Sequence, residues 1–395
     1  MTKLSVKDVD LAGKKVLMRV DFNVPVDKKT GEILDDMRIR ASLPTIDYIL
    51  KKGASLILMS HLGRPEGKVV PQLKMDRVGE RLSEILGRRV KKLDGCVGSE
   101  VEKVVRKLRP GEVVLLENTR FYKEETENNP EFAKKLARLA DLYVNDAFGT
   151  AHRSHASTVG VARFLPAVAG LLMAKELEVL SNILTHPVSP FIAILGGAKV
   201  SDKIGVLRNL LSKCQKILIG GAMAYTFLRA QGIPTGRSLV EEEKVKEALK
   251  IMEKAKEANC EVLLPLDHVV APEAKSGSPV KIVGQRDIPA DWMGLDIGPE
   301  TIKCFSSFID GAKTIFWNGP LGFFEVEEFS RGTREIGRKL AATGATVVVG
   351  GGDSIAALKK EKLLDKMTHV STGGGASLEF LEGKELPGVS VLKDK

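Results

Sequence analysis

Nine short apolar runs recur along the chain, and longer segments of mixed polarity separate them. Unbroken runs of this length are typical of strands that are buried on both faces, and the segments between them are long enough to form helices. The pattern therefore predicts parallel sheets covered by helices on both sides. The runs lie at 16–20, 55–60, 113–117, 142–146, 191–197, 216–221, 261–266, 314–319 and 346–352.

The runs fall into two groups, and 395 residues are enough for two separate cores. Between the groups, residues 171–187 carry leucine and isoleucine at helical spacing and end at a proline, which predicts a helix. We therefore predict an α/β fold with two doubly wound, Rossmann-like parallel-sheet domains at 1–170 and 188–383, joined by a hinge helix at 171–187. The tail at 384–395 has no strong pattern and can pack back on either domain, of which we favour the N-terminal one.

Composition limits the class of partner. The net charge of +9 indicates an anionic partner, which could be nucleic acid, a membrane surface or a phosphorylated small molecule. Aromatic residues make up only 5% of the chain, so stacking platforms for single-stranded nucleic acid are not expected, and the longest apolar run, 164–174, is too short to span a bilayer. The N-terminus has no apolar signal region and the four cysteines lie far apart, which favours a cytoplasmic protein with reduced thiols. We expect neither nucleic acid nor a membrane as partner.

Charged and hydrogen-bonding side chains follow the strands of the first half, at the sheet edge where open α/β sheets bind ligands. Arginine forks suit carboxylate and phosphate groups. The residues in question are Arg38, His61, Arg64, Arg120, His152 and Arg153. One such arginine usually forms a surface ion pair, but several loops with the same feature favour an anion pocket. Asp21 and Asn23 lie beside them as acceptors for the hydroxyl groups of a small polyol acid, with an ion pair to a neighbouring arginine as the alternative for Asp21.

The strands of the second half end instead in glycine-rich turns. Glycine allows backbone amides to approach a phosphate at a helix N-terminus. The turns lie at 196–205, 220–228, 318–325, 350–354 and 372–377. Helix–sheet packing explains most single turns of this kind, but five in one domain favour a nucleotide with several phosphates. No G-x-G-x-x-G fingerprint occurs at these turns, which argues against NAD, and no Lys-Ser or Lys-Thr follows the glycines at 350–352, which excludes a Walker A loop there.

Three charged residues extend the phosphate hypothesis. Lys199 and Lys203 lie four residues apart at a predicted helix start, where two cations on one helix face repel each other and oppose the helix dipole. A bound polyanion would relieve this conflict, and Asp202 could relieve part of it. Asp353 follows the glycines, where a phosphate would repel it unless a cation lay between them, and Mg²⁺ prefers one or two carboxylates with phosphate oxygens. Asp353 is therefore a candidate Mg²⁺ ligand, with capping of the following helix as the alternative.

Nine motifs then occur in order along the chain. They are RVDFNVP (19–25), SHLGRP (60–65), ENTRF (117–121), GTAHRSHAS (149–157), LGGAKVSDKIG (195–205), WMGLDIGPE (292–300), FWNGPLGFFE (316–325), VVVGGGDS (347–354) and STGGGASLEFL (371–381). In this order they resemble the signatures of the phosphoglycerate kinase family, over essentially the whole chain. The departures are small, since Ser154 stands where alanine is common and Leu321 and Phe323 replace smaller or different apolar residues. None of these touches a charged group of the pattern.

The resemblance implies reversible phosphoryl transfer between ATP and the carboxylate of 3-phospho-D-glycerate, which gives ADP and 1,3-bisphosphoglycerate in the ATP-generating step of glycolysis. It implies a monomer that bends at its hinge, with ATP or ADP as co-substrate and Mg²⁺ held by Asp353. The triose-binding residues that it implies are Asp21, Asn23, Arg38, His61, Arg64, Arg120 and Arg153. The nucleotide-binding residues that it implies are Lys203, Gly294, Asn318, Glu325, Gly351, Gly352, Asp353 and Ser354, with Glu325 facing the ribose and Asn318 near the phosphates.

The residue chemistry agrees with this reaction. A carboxylate acceptor is already ionised near pH 7, so the transfer needs no general base. The enzyme must instead position two anions and neutralise the charge of the migrating group. We assign this neutralisation to the side chains of Arg38 and Lys199 and to backbone amides at Gly374 and Gly375.

Three alternatives stay open on the sequence alone. Another two-domain kinase for a small carboxylic acid would share the same architecture. A basic nucleic-acid-binding protein would share the net charge, although arginines dispersed over separate strand ends argue against it. An NAD-dependent dehydrogenase would share the fold class but lacks its fingerprint here.

Overall fold

The computed structural model describes residues 3–27 and 29–395, and Met1, Thr2 and Lys28 lie outside the described residues. The chain divides into two compact units. Unit 1 comprises the residues up to Glu178 together with Glu385–Lys395, and unit 2 comprises Val179–Lys384. The boundary at residues 178 and 179 falls within one helix, Leu171–Thr185.

Unit 1 contains one sheet of six strands, all paired in parallel. The strands are β1 (Lys15–Arg19), β2 (Ser55–Met59), β3 (Val90–Lys92), β4 (Val113–Leu115), β5 (Leu142–Asn145) and β6 (Ala167–Ala169). Their spatial order is β3-β4-β2-β1-β5-β6, with Lys15 opposite Ser55 and Val16 opposite Leu142. On one side of β1 lie β2, β4 and β3, and on the other side lie β5 and β6, so the strand order reverses between β1 and β5.

Helices cover this sheet because each has an apolar stripe at helical spacing. In the first of them, Ile39, Ile46 and Ile49 are buried on one face and join the buried strand residues in the core. The helices are α1 (Met37–Lys51), α2 (Asp76–Leu86), α3 (Ser99–Arg106), α4 (Lys123–Thr126), α5 (Pro130–Ala137) and α6 (Leu171–Thr185). A π-helical turn, Ala156–Gly160, follows β5, with 3₁₀ turns at Pro71–Leu73, Thr119–Phe121, Phe148–Thr150 and Val161–Arg163.

The C-terminal tail belongs to unit 1. The backbone N–H of Lys393 donates to the carbonyl of Ala167 in β6 at 3.1 Å, and the N–H of Leu4 donates to the carbonyl of Lys393 at 2.8 Å. Leu386, Val389 and Leu392 of the tail are buried. The tail thus supplies both hydrogen bonds and apolar contacts next to the β6 edge of the sheet.

Unit 2 has a second parallel sheet of six strands. They are β7 (Phe191–Leu195), β8 (Lys216–Ile219), β9 (Glu261–Leu263), β13 (Thr314–Asn318), β14 (Thr346–Gly350) and β15 (His369–Val370). The spatial order β15-β14-β13-β7-β8-β9 is, counted within this sheet, the doubly wound 3-2-1-4-5-6 order, which reverses between β7 and β13. A smaller antiparallel sheet, β11-β10-β12, consists of β10 (Asp267–Ala271), β11 (Lys281–Gly284) and β12 (Met293–Ile297).

Seven helices longer than one turn lie within the described part of unit 2 after α6, and they alternate with its strands. They are α7 (Ile204–Leu210), α8 (Met223–Ala230), α9 (Val245–Glu257), α10 (Pro299–Gly311), α11 (Arg331–Ala342), α12 (Gly352–Lys360) and α13 (Gly375–Leu381). Short 3₁₀ turns lie at Glu242–Lys244, Glu327–Phe329 and Leu364–Lys366, and α14 (Pro387–Ser390) belongs to the tail of unit 1. The core of unit 2 packs Phe305, Trp317 and Ile336 against the sheet.

The predicted α/β fold class with two parallel sheets is confirmed, and each of the nine apolar runs overlaps a strand. The sequence did not predict β3, β6, β15 or the antiparallel sheet. β3 is a charged edge strand and β15 has only two residues, so neither forms an apolar run. The antiparallel strands are interrupted by polar residues, as in Met293–Ile297, whose burial alternates along the strand.

Asp296 in β12 is a buried carboxylate in unit 2. Its two oxygens accept backbone N–H groups, Oδ2 from Gly332 at 2.7 Å and Oδ1 from Ile297 at 2.9 Å. Burial nevertheless raises the pKa of Asp296 to about 8, because it disfavours the charged form more than these hydrogen bonds favour it. Asp296 is therefore mostly protonated in the folded protein at neutral pH.

This carboxyl makes the stability of unit 2 depend on pH. Because the pKa of Asp296 is higher in the folded than in the unfolded state, the folded protein binds this proton more tightly. Proton binding by Asp296 therefore contributes its full stabilisation of the folded state below about pH 4, and this contribution is lost as the pH rises towards 8. We expect Asp296→Asn to remove this loss. Between pH 5 and pH 8 the free energy of unfolding of the wild type should fall, relative to the variant, by at least about 1 kcal/mol in guanidinium titrations. The exposed Asp365→Asn serves as control, and equal pH slopes for the wild type and Asp296→Asn would contradict the assignment.

Candidate active site

The carboxyl ends of β1, β2, β4 and β5 lie at one edge of the unit 1 sheet. The polar segments 20–25, 60–65, 116–121 and 146–157 follow these strands at that edge. Arg38 lies in the first turn of α1. The reversal of strand order between β1 and β5 is the topological switch point at which open α/β sheets bind ligands.

Asp21 connects two of the predicted triose-binding residues. Its carboxylate forms an ion pair with Arg38, and its Oδ1 lies 3.8 Å from Nδ1 of His61. The side-chain oxygen of Asn23 accepts the N–H of Gly63 at 2.8 Å, which links the segment after β1 to the segment after β2. The ion pair that the sequence left as the alternative for Asp21 is thus present, and its role as a hydroxyl acceptor stays a prediction.

The arginines of this edge are close enough to affect one another. Arg120 is buried and donates from Nη1 to the carbonyl of Gly63 at 2.8 Å. Burial and the charges of Arg153 and Arg19 lower the pKa of Arg120 to about 10, against opposing effects of Glu125 and Asp21. Crowded guanidinium groups of this kind would be stabilised by a bound carboxylate or phosphate. Arg64 is exposed on the segment that follows β2.

His61 differs from the other members of the predicted anion pocket because it is not a cation. It is 3% exposed, and its pKa lies well below the usual 6.5 because of its burial and the charges of Arg19, Arg120, Arg153 and Arg38. His61 is therefore neutral at pH 7. It can bind an anion by donating a hydrogen bond, but it adds no charge.

Sequence reasoning missed the buried polar residues behind this edge, Arg19, Asn118, Glu125 and Ser157, of which the structure exposes none. Asn118 accepts N–H groups of Leu62 at 3.2 Å and Arg120 at 3.1 Å, and its Nδ2 donates to the carbonyl of Leu62 at 2.7 Å. It thereby joins the loops that carry His61 and Arg120. The signal in the sequence was a charged residue, Arg19, inside the apolar run at 16–20.

Unit 2 presents backbone rather than cations at the corresponding edge. The reversal point lies between β7 and β13, where the glycine turns after both strands meet. The N–H of Gly197 donates to the carbonyl of Pro320 at 2.8 Å, and a Cβ at Gly319 would lie 2.3 Å from the carbonyl oxygen of Gly196. These glycines are required for backbone-to-backbone contact, so the packing explanation for a glycine turn holds at this pair of loops.

Asn318 at the end of β13 is the clearest candidate ligand group of unit 2. It is 2% exposed, and its Nδ2 has no hydrogen-bond partner among the described residues. A Cβ at Gly351 would lie 3.1 Å from this nitrogen, and Gly351 has a φ of 90°, so only glycine fits the turn that begins α12. A buried donor without a partner costs about 1–3 kcal/mol. A phosphate oxygen in the glycine turn would remove that cost.

Lys203 and Asp353 lie near the same turns. Lys203 is buried, and a Cβ at Gly197 would lie 3.6 Å from its Nζ. Burial lowers the pKa of Lys203, while Asp202 and Asp353 oppose the shift. Asp353 is exposed in the first turn of α12, and no side-chain hydrogen bond caps this helix within residues 29–395. Lys199 is exposed and precedes α7, which begins at Ile204, so the prediction that Lys199 and Lys203 share a helix face is wrong.

The other predicted nucleotide-binding residues have varied surroundings. Gly294 packs against Tyr225 and donates from its N–H to Ser238 Oγ at 2.9 Å. Ser354 is buried, and its Oγ accepts the N–H of Gly319 at 2.6 Å, whereas Gly352 and Glu325 are exposed. Gly374 precedes α13 with a φ of 53°, and Gly375 is the first residue of that helix. Their roles stay predictions.

The residues present fit a Mg²⁺ ion that arrives with phosphate groups. Within the described ranges, no group of three or more His, Cys, Asp or Glu could hold a metal ion by itself. One exposed carboxylate, Asp353, at a glycine turn matches the preference of Mg²⁺ for one or two carboxylates plus phosphate oxygens.

Among the helices of the described chain, none has the length and apolar character needed to cross a membrane.

Comparisons with known proteins agree with the sequence motifs. A family model described as phosphoglycerate kinase matches residues 6–384. Phosphoglycerate kinases of Moorella thermoacetica and Dictyoglomus turgidum are 55% and 58% identical over 395 residues, which cover all of this chain and 100% and 99% of theirs. Solved phosphoglycerate kinase structures from Coxiella burnetii (43% identity, TM-score 0.90) and Pyrococcus horikoshii (35%, TM-score 0.87) each cover 98% of both chains.

Asn318→Leu tests whether the unpartnered amide serves a ligand. We expect the affinity of the protein for ADP to fall about tenfold, which corresponds to the loss of one hydrogen bond to a charged group. The affinity for the small acid expected in unit 1 should not change. Since the variant also removes a buried unsatisfied donor, its thermal midpoint without ligand should equal or exceed that of the wild type. Asn209→Leu is the control, because its Nδ2 already donates to the carbonyl of Leu381 at 2.6 Å. Unchanged ADP affinity in calorimetry would contradict the role of Asn318.

Proposed function

The chain belongs to the phosphoglycerate kinase family and is a phosphotransferase, and from this premise we propose its reaction in detail. It catalyses reversible, Mg²⁺-dependent phosphoryl transfer between ATP and the carboxylate of 3-phospho-D-glycerate, which gives ADP and 1,3-bisphosphoglycerate in the ATP-generating step of glycolysis. ATP or ADP is the co-substrate. The transfer is direct and in line, and it follows domain closure.

The observation that carries this proposal is the contrast between the two sheet edges. In unit 1, arginine side chains and a neutral histidine converge at the carboxyl ends of the strands, which suits a small acid with several charges. In unit 2, glycine turns, a buried unpartnered amide and one lysine lie at the carboxyl ends, which suits a polyphosphate. A kinase for a phosphorylated acid needs both kinds of site.

The acid binds in unit 1. Asp21 accepts the hydrogen bond of its one hydroxyl group, and the side-chain amide of Asn23 donates to the oxygen of that hydroxyl. Arg64, Arg120 and Arg153 hold its phosphate and carboxylate. The loops that carry Asn23 and Arg120 are both tied to Gly63 by hydrogen bonds of 2.8 Å. That connection favours binding of the acid in one fixed orientation, which is what a transfer reaction requires.

The nucleotide binds in unit 2. Lys203, Asn318 and the amides of Gly351, Gly352 and Ser354 hold the phosphates, Gly294 lies beside the base, and Glu325 faces the ribose. Asp353 would hold Mg²⁺, which neutralises phosphate charge during transfer. The lysine is kept in place by its burial beside the turn at Gly197.

The chain supplies charge stabilisation rather than acid–base chemistry. The acceptor carboxylate is ionised at pH 7, and no proton has to move before it attacks. Arg38 from unit 1, Lys199 from unit 2 and the amides of Gly374 and Gly375 neutralise the migrating phosphoryl group, and exclusion of water prevents hydrolysis of the nucleotide. The exposed position of Lys199 agrees with a residue that meets the nucleotide only during transfer.

The overall reaction is tested by a coupled assay of ADP formation from ATP. We expect turnover with 3-phosphoglycerate and Mg²⁺, and none without Mg²⁺ or with unphosphorylated glycerate. Turnover with an unrelated carboxylic acid in place of 3-phosphoglycerate would favour a different kinase. We further propose that the protein is a cytoplasmic monomer. Cell fractionation would check its location and analytical ultracentrifugation its oligomeric state, and sedimentation as a dimer would contradict the monomer.

Arg38→Ala should lower kcat far more than it weakens binding of the acid. Loss of a group that stabilises only the transition state costs about 3–4 kcal/mol, or roughly 10²–10³ in rate, whereas the KM for the acid should change by no more than a few fold. Arg40→Ala is the matched control, since Arg40 lies on the same helix in an exposed ion pair with Asp36. A kcat within a few fold of the wild type would remove Arg38 from this role.

Transfer requires the acid and the nucleotide to be brought together, and we propose that closure about the helix Leu171–Thr185 does this. The radius of gyration in solution scattering should be smaller with 3-phosphoglycerate and a non-hydrolysable ATP analogue together than with either ligand alone. Each ligand alone is the internal control. An equal radius in all three samples would exclude closure as the step that unites the substrates.

A further inference from the structure

Arg19, the last residue of β1, is a fully buried arginine that the proposed reaction does not use. Its guanidinium group makes three contacts inside unit 1. Nε donates to Ser157 Oγ at 2.8 Å, Nη1 donates to the carbonyl of Val20, and Nη2 lies 3.1 Å from Nδ1 of His61. Burial of this cation costs free energy, because the guanidinium group loses its water on folding. Its contacts therefore indicate a role for Arg19 in unit 1.

The contact with His61 fixes the protonation state of the imidazole. A guanidinium group has only donors, so Nδ1 of His61 must accept from Arg19. In a neutral imidazole the other nitrogen, Nε2, then carries the proton. The competing acceptor, Asp21 Oδ1, lies 3.8 Å from the same Nδ1, beyond hydrogen-bond distance, so it does not draw the proton to Nδ1.

We propose that Arg19 is a positioning residue that holds His61 as the neutral tautomer with its proton on Nε2, so that His61 donates a hydrogen bond to the bound acid. The proposal deepens the proposed function and rests on it for the identity of the acid. A second proton is also disfavoured, because burial and the neighbouring arginines keep the pKa of His61 well below 6.5. His61 thus acts as a donor without adding to the crowded positive charge.

Ser157 and Glu125 hold Arg19 in this position. The Ser157 hydroxyl accepts from Arg19 and donates to Glu125 Oε1, and the N–H of Ser157 donates to Glu125 Oε2 at 2.9 Å. Ser157 lies in the π-helical turn after β5, and both it and Glu125 are fully buried. The carboxyl group of Glu125 therefore lies one hydroxyl group away from the guanidinium group. In the chain Glu125–Ser157–Arg19–His61, Arg19 donates to both of its neighbours and Ser157 donates to Glu125.

The tautomer can be measured directly in the full-length wild-type protein. We expect ¹⁵N NMR of histidine-labelled protein to show for His61 a protonated Nε2 and an unprotonated Nδ1 from pH 6 to pH 8, with the signals assigned by their loss in His61→Gln. A proton on Nδ1, or a doubly protonated ring at pH 7, would overturn the proposal. This measurement needs no substrate, so its outcome does not depend on whether the proposed reaction is correct.

Two variants test whether Arg19 is what selects the tautomer. Arg19→Met removes every donor at position 19, and Ser157→Ala removes the hydroxyl group that orients Arg19. In these variants we expect a mixture of His61 tautomers. The KM for 3-phosphoglycerate should rise about tenfold in Arg19→Met and a few fold in Ser157→Ala, with the KM for ATP unchanged. Ser83→Ala is the matched control, because Ser83 Oγ donates to the carbonyl of Gly79 at 2.8 Å and accepts the N–H of Val90 at 3.1 Å elsewhere in unit 1. It should leave both readouts unchanged.

The outcomes separate the two proposals. An unchanged His61 tautomer together with an unchanged KM in both variants would overturn the role of Arg19, even if the enzyme turns over 3-phosphoglycerate. A wild-type protein with the expected tautomer but no turnover of that acid would instead overturn the proposed function. If Arg19→Met does not fold, Ser157→Ala, which retains the charge at position 19, still decides the question.

Discussion

Parallel pairing of buried strands is the constraint from which both candidate sites follow. Since every strand of a parallel sheet ends at the same edge, each sheet gathers the segments after its strands in one place. In unit 1 these segments carry Arg120, Arg153 and His61, and in unit 2 they carry the glycine turns and Asn318. Neither group of residues is contiguous in sequence. The sheet, rather than any local motif, makes each of them a site.

The two candidate sites offer different chemistry to the anions that we propose they bind. Unit 1 uses side chains, and the crowding of its guanidinium groups is visible in the lowered pKa of Arg120. Behind its cations lie buried hydrogen-bond acceptors, among them the carboxyl group of Glu125. Unit 2 uses backbone amides and one unpartnered side-chain amide, with a single buried lysine. Such a site suits a ligand whose phosphates match the geometry of the turns, rather than one held by a large positive field.

The sequence predicted most of this arrangement because apolar runs and strand ends are local signals. The runs at 16–20 and 191–197 mark strands wherever they lie, and the polar residues after them mark the edges. What it could not predict depends on contacts between distant residues. Arg19 donates to Ser157, which lies 138 residues further along the chain, and Ser157 in turn contacts Glu125. The sequence near β1 gives no sign of either residue. In the same way, only the sheet order shows that Gly197 and Gly319 touch and are therefore glycines for reasons of packing.

The tail of unit 1 has a consequence for how the protein is made. Residues 385–395 lie beyond the whole of unit 2 in sequence, yet Lys393 supplies the hydrogen bonds to Ala167 and Leu4 at the β6 edge. A ribosome therefore completes the contiguous second unit before it produces the segment that finishes the first. During synthesis the β6 edge of the unit 1 sheet therefore lacks the tail until some two hundred further residues have been made. Unit 1 therefore receives its last segment only after all of unit 2 has been synthesised.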